Sequence, residues 1–230
     1  MTQTTSDDQG KAGGGSLPGT FSYPMPTPAA LPPDRSGWVV DPRRAALLVL
    51  NVQNHFLRVL QERSAPAAEL VGTVALLVEA ARKAGIPVLY AVAVDGHERA
   101  VRETAFGHPR LPAAGGSRDV VAAVRPMVGD SVLVAKRISA FAGTRLRPRL
   151  DELERDQPVI VGLFARTQVM LTAADAWTQD LEPFVVADAV ADTTPGDHRM
   201  AVDWIAATCG AVRSARGVAD VFGSTGPWPG

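Results

Sequence analysis

The chain has 230 residues, 46% of them hydrophobic, and a formal net charge of −1. That length and apolar content fit one globular domain with a full core. The balanced charge offers no footprint for nucleic acid or an anionic membrane, and no apolar run approaches the ~20 residues needed to cross a bilayer. The N-terminal stretch MTQTTSDDQGKAGGGS has neither the basic start nor the apolar core of a secretion signal, so a cytoplasmic location is the expectation.

Residues 1–20 are rich in Gly, Ser and Thr and read as a disordered tail. The Pro-rich stretch 21–38, FSYPMPTPAALPPDRSGW, predicts an extended arm laid along the body or along a neighbouring subunit. Residues 45–52 (AALLVLNV) form a continuous apolar run of strand length. Leu70, Val71, Val74, Leu77 and Val78 give 67–85 the stripe of a helix that Gly85 stops. Residues 88–94 and 131–135 supply two further strands, and the weakly patterned 95–130 between them suits a lid or specificity insert.

The second half continues the alternation. A charged surface helix is predicted over 145–155, a strand at Val159, a helix over 167–179, a strand over 184–187 with an Asp-rich loop after it, a helix over 197–208, a strand over 211–213 and a loose tail at 223–230. Such alternation predicts one domain over 21–222, a three-layer α/β/α fold on a doubly wound, mostly parallel six-stranded sheet. In such a fold, ligands sit beyond the carboxyl ends of the strands, where the strand order reverses.

Cys209 has no partner for an internal disulfide and falls late in a helical pattern, which suits a small packing group. His55, His97, His108 and His198 are scattered without zinc spacing, so neither a metal nor a cofactor is expected. The first strand ends in LNVQNHF, which puts Asn51, Gln53, Asn54 and His55 where chemistry belongs. Two readings of Asn51 fit: a cap for the loop backbone, or a pocket group.

The wording of several segments is more specific than their pattern. PRRAALLVLNVQNHFLRVL, VLVAKRISAFAGTRL, GLFAR, the run Thr172-Ala173-Ala174-Asp175-Ala176 and HRMA together resemble the isochorismatase-like hydrolases. The likeness is strongest to the branch acting on isochorismate and its amino analogue, including the single-domain phenazine-pathway type, and spans about 23–222.

The resemblance implies an active site from which this chain departs. The family's general acid is an Asp after the first strand, thought to protonate the vinyl ether's methylene carbon so that water releases pyruvate. Asn51 stands at that position, and an amide has no usable proton at neutral pH. Losing a general acid costs roughly 10²–10⁴ in rate. The family's lysine position falls on Ala135. Lys136 lies one residue late, so either it faces solvent or a bulge returns it to the pocket. Gln168 stands where cysteine-dependent relatives have their nucleophile and isochorismatases usually have Gly, which removes a covalent thiol mechanism.

Phe164 replaces a substrate-facing Tyr and Arg166 a His, with a non-proline cis peptide implied at Leu163–Phe164. The helix N-terminus there would offer N–H groups to an anion. Arg166 is either a partner for that anion or an ordinary surface residue. Arg102 matches an Arg for the substrate carboxylate, Phe106 a pocket Trp, and Asp188 and Asp192 residues that order loops.

These matches give a candidate chemical set of Asn51, His55, Arg166 and Gln168, with His55 the substitute acid or base on pKa grounds. The candidate ligand contacts are Gln53, Arg102, Phe106, Arg137 and Phe164. The expected ligand is a small cyclic carboxylate, and the expected assembly a homodimer or larger homo-oligomer. Three functions remain: an enzyme of altered chemistry, a catalytically inactive binder of a metabolite or partner, and a true vinyl-ether hydrolase.

Overall fold

The computed structural model describes residues 22–60, 65–93 and 118–224. Arg102, Phe106 and most of the predicted insert lie outside them.

Six parallel strands form the sheet: β1 (Ala45–Leu50), β2 (Val88–Ala93), β3 (Ser131–Ala135), β4 (Gln157–Leu163), β5 (Phe184–Ala191) and β6 (Ala211–Arg213). Their order is β3-β2-β1-β4-β5-β6, the doubly wound arrangement expected. β1 and β4 are buried at every position, which is why unbroken apolar runs occupy the centre of a sheet covered on both faces. At the edge, β3 alternates and leaves Val132 and Val134 exposed.

Side chains of β1 divide by strand period. Ala45, Leu47 and Val49 join a core with α2 (Ala67–Lys83) and α6 (Ala215–Gly223). Ala46, Leu48 and Leu50 join a second core with α3 (Leu146–Glu152), α4 (Met170–Trp177) and α5 (Pro195–Thr208). A one-residue slip of β1 would exchange its two sets of side chains between these cores. Among the described residues, no helix is long and apolar enough to cross a membrane.

Four details differ from the expectations. β5 runs four residues further than predicted, because Val190 and Ala191 pair with Gly162 and Leu163 after a register shift in the ladder. The helix predicted from Thr167 opens earlier, as a π-helical turn over Ala165–Val169 that leads into α4. Helix α1 (Asn54–Val59) and helix α6 were outside the predicted set; α6 buries Ala215, Val218 and Phe222 and is capped by the Ser214 side chain.

The Pro-rich arm lies on its own body. The Trp38 ring packs 6.3 Å from Phe184, and Arg213 bonds both Asp34 and the Trp38 carbonyl. At the arm's start, the Tyr23 hydroxyl meets the Asp192 backbone at 3.0 Å and His198 Nδ1 at 3.1 Å.

Candidate functional site

The strand order reverses between β1 and β4, so their carboxyl ends mark the switch point where folds of this kind place a ligand crevice. Gly162 pairs with Leu50 at a very close approach: a Cβ on Gly162 would stand 2.0 Å from the Leu50 carbonyl oxygen, and φ is +113. Only glycine fits there.

Beyond Leu50 the chain turns sharply. Asn51 takes φ 51, a left-handed conformation that Asn tolerates better than most residues. Its backbone is satisfied, with the N–H on Ala91 O at 3.0 Å and the carbonyl accepting from Gln53 N–H at 2.7 Å. Its side chain is not. Asn51 is 3% exposed, and Oδ1 meets no hydrogen-bond partner among the described residues. A buried amide oxygen left this way costs about 1–3 kcal/mol.

Gln53, two residues on and 1% exposed, is the opposite case. Its Nε2 donates to Ala93 O at 3.0 Å and to Arg118 O at 2.5 Å, while Oε1 accepts from Ala93 N–H at 2.9 Å. The Gln53 head thus ties the ends of β1 and β2 to the segment before β3. That segment crosses the site, with Val120 bridged antiparallel to Gln53 and Val121 N–H on Val52 O.

Helix α1 supplies an aromatic wall. Buried His55 meets Phe56 edge-on at 5.2 Å, and Phe56 meets Phe164 edge-on at 5.9 Å. Phe164 follows a cis peptide with Leu163, where the resemblance placed one.

The bend after β4 is satisfied from within. Phe164 N–H donates to Gln168 Oε1 at 3.2 Å, and the Thr167 hydroxyl donates to the same oxygen at 2.6 Å. Arg166 N–H donates to Asp192 Oδ2 at 2.7 Å, and the Thr167 and Val169 amides both close on Phe164 O. Two amides of the expected anion cradle, those of Phe164 and Arg166, are thus taken by the chain's own side chains. Arg166 also points elsewhere: its guanidinium pairs with Asp197 at 2.9 Å, on the first turn of α5. Asp197 belongs to a cap visible in the sequence as Thr194-x-x-Asp197, the hydroxyl accepting from Asp197 N–H at 3.0 Å.

At the end of β3 the pairing with β2 stays in register through Ala93 and Ala135, so no bulge turns Lys136 inward. Ala135 is buried, and Lys136 and Arg137 are exposed. Asp188 and Asp192 both cap backbone, on Ala215 N–H at 2.7 Å and on the Arg166 and Thr193 amides. Burial raises the Asp188 carboxyl, and the Ala215 bond partly opposes it.

His198 is a second buried imidazole, behind the bend. Desolvation lowers its pKa to about 4, and Nε2 lies 3.0 Å from Ala187 O. A carbonyl only accepts, so the proton sits on Nε2, and Nδ1 and the Asp192 carbonyl both face the single proton of the Tyr23 hydroxyl.

The chain is similar to known proteins. The family model described as "Isochorismatase domain" matches residues 45–216. Over 199 residues the chain is 35% identical to the phenazine biosynthesis protein PhzD of Pseudomonas fluorescens, covering 85% of this chain and 95% of that protein. It is 33% identical over 196 residues to the isochorismatase of Bacillus subtilis, covering 84% of this chain and 62% of that one. A solved structure, the cysteine hydrolase of Pseudomonas syringae, superposes with a TM-score of 0.68 at 22% identity, covering 84% of this chain and 98% of the other. At that identity the likeness speaks for the fold alone.

Proposed function

The chain belongs to the isochorismatase family, and on that premise we propose that it binds a small cyclic carboxylate at the β1–β4 switch point and acts on it without protonating a vinyl ether. The observation that carries this reading is Asn51, a buried amide with an oxygen that the described residues leave unpaired, at the point where ligands of such folds sit. A ligand hydrogen bond there would recover the desolvation cost of that group. Relatives bearing the name isochorismatase supply the ligand class.

An amide orients and polarises, but it holds no transferable proton at neutral pH. Chemistry at this position is therefore isomerisation, elimination, cyclisation or a hydrolysis that uses another acid. His55, buried on the neighbouring turn, is the imidazole nearest in sequence to Asn51.

The test compares pyruvate release from isochorismate and its 2-amino analogue by the wild type and by Asn51→Asp with Ala135→Lys. A silent wild type and an active double variant are expected, since restoring a general acid is worth roughly 10²–10⁴ in rate. Pyruvate release by the wild type at the rate of the double variant overturns the reading.

A second reading, an inactive binder, is favoured by the bend itself, where Arg166 and Gln168 are engaged within the chain. Calorimetric binding of isochorismate without any product, in both proteins, would select it.

A further inference from the structure

We infer that Gln168 is a specificity-determining residue, an internal competitor for the place a ligand carboxylate oxygen would take at the β4 bend. The inference rests on the ligand-site reading above. Phe164 directly follows β4 at its carboxyl end, where the strand order reverses. A backbone N–H so placed suits an anionic oxygen. Here it is already spent on Gln168 Oε1, and that oxygen also takes the Thr167 hydroxyl proton. Gln168 is 4% exposed, so bulk water does not compete for either bond.

Two side chains cap this bend, and they differ in how readily they yield. Asp192 holds Arg166 N–H at 2.7 Å, its other oxygen takes Thr193 N–H at 2.8 Å, and its backbone is clasped by the Tyr23 hydroxyl. Each element of that arrangement fixes the others. Gln168 reaches Phe164 N–H through a neutral bond of 3.2 Å, from a side chain with three torsions. Neutral bonds are roughly half as strong as those to a carboxylate. Of the two caps, Gln168 is the one a ligand displaces.

An incoming carboxylate must therefore break the Gln168 bond before it can use the Phe164 amide. A neutral ring that pairs only with Asn51 breaks nothing. Gln168 thus sets the crevice against anionic oxygens at the bend, and directs recognition to the hydroxyl or amino groups of the ligand that reach Asn51.

The test titrates benzoate, a plain ring carboxylate, into the wild type, Gln168→Ala and Gln168→Glu, followed by calorimetry and by the Phe164 amide resonance. Removing the competitor should tighten benzoate by about ten-fold, the worth of one hydrogen bond, and Glu, which keeps the length and adds charge, should weaken it by a similar factor. Benzoate should shift the Phe164 amide in the Ala variant. A purely structural role lowers the melting temperature of both variants without moving their affinities in opposite directions.

Equal affinities in all three proteins overturn the inference. If the Asn51 side-chain resonance still responds to benzoate in that case, the ligand-site reading stands without it. Absence of benzoate binding from all three overturns both. Should the Ala variant fail to fold, the Glu variant still decides: unchanged benzoate affinity there overturns the inference.

Discussion

The two lips of the crevice are built on opposite terms. At the end of β1, Asn51 is buried with its Oδ1 unpaired by the described residues; at the end of β4, Phe164, Arg166 and Gln168 are engaged by neighbours of their own chain. All four stand at positions matched to a family site. The difference teaches that positions matched to one family site divide into polar groups the described residues leave unspent and groups the fold already uses. On the proposed function, the β1 lip would receive a ligand, and the β4 lip would have to be opened by one.

The largest expected effect tests the frame that holds the lips together. Gly162→Ala drives a Cβ against the Leu50 carbonyl and strains a left-handed backbone, so a loss above about 4 kcal/mol is expected. Thermal melts of purified protein should show a collapse in stability; a melting temperature within a few degrees of wild type would mean that the close approach is wrongly placed.

Next come two buried amides on one turn. Gln53→Ala strands the Ala93 N–H and carbonyl, and about 3 kcal/mol is expected to be lost in urea unfolding. Asn51→Ala removes an oxygen that the described residues leave without a partner, at the price of a left-handed alanine, so a net change within about 1 kcal/mol is expected. Equal losses at the two positions would erase the contrast between spent and unspent groups.

His198 sharpens the picture of what lies behind the bend. Burial lowers its pKa from 6.5 to about 4, so between those values the unfolded chain binds a proton that the folded chain does not. Stability should fall as pH drops through that window, by about 3 kcal/mol at most. His198→Gln should flatten that part of the profile, and an unchanged slope would assign it to other groups.

The smallest effect belongs to Arg166. Its ion pair with Asp197 is partly exposed, so Arg166→Gln should cost about 0.5–1 kcal/mol, and less in high salt. A large loss of ligand binding with unchanged stability would return Arg166 to the ligand and shift the balance between the lips.

Residue by residue, the fold was open to reading and the site only in part. AALLVLNV announced a buried central strand because a parallel strand covered on both faces needs apolar side chains at every position. The last four residues of β5 were hidden, because DAVA reads as loop until Gly162 permits the register shift that pairs it. Helix α1 was obscured by a polar start, Asn54-His55, and α6 by Gly217 in its first turn. Gln53 showed a polar head at a strand end and gave no sign of where that head would turn.

The sequence by itself determined the alternation of strands and helices, the family, and the identity of the groups at the matched positions: an amide at Asn51, an alanine at Ala135, a glutamine at Gln168. These follow from local periodicity and residue chemistry, which the chain carries in one dimension. Only the tertiary structure decided which of those groups are spent. Whether Gln53 grips Ala93, Arg166 pairs with Asp197 or Asn51 Oδ1 stays unpaired depends on atoms brought together from distant parts of the chain, and hydrogen bonds form by distance and angle in space.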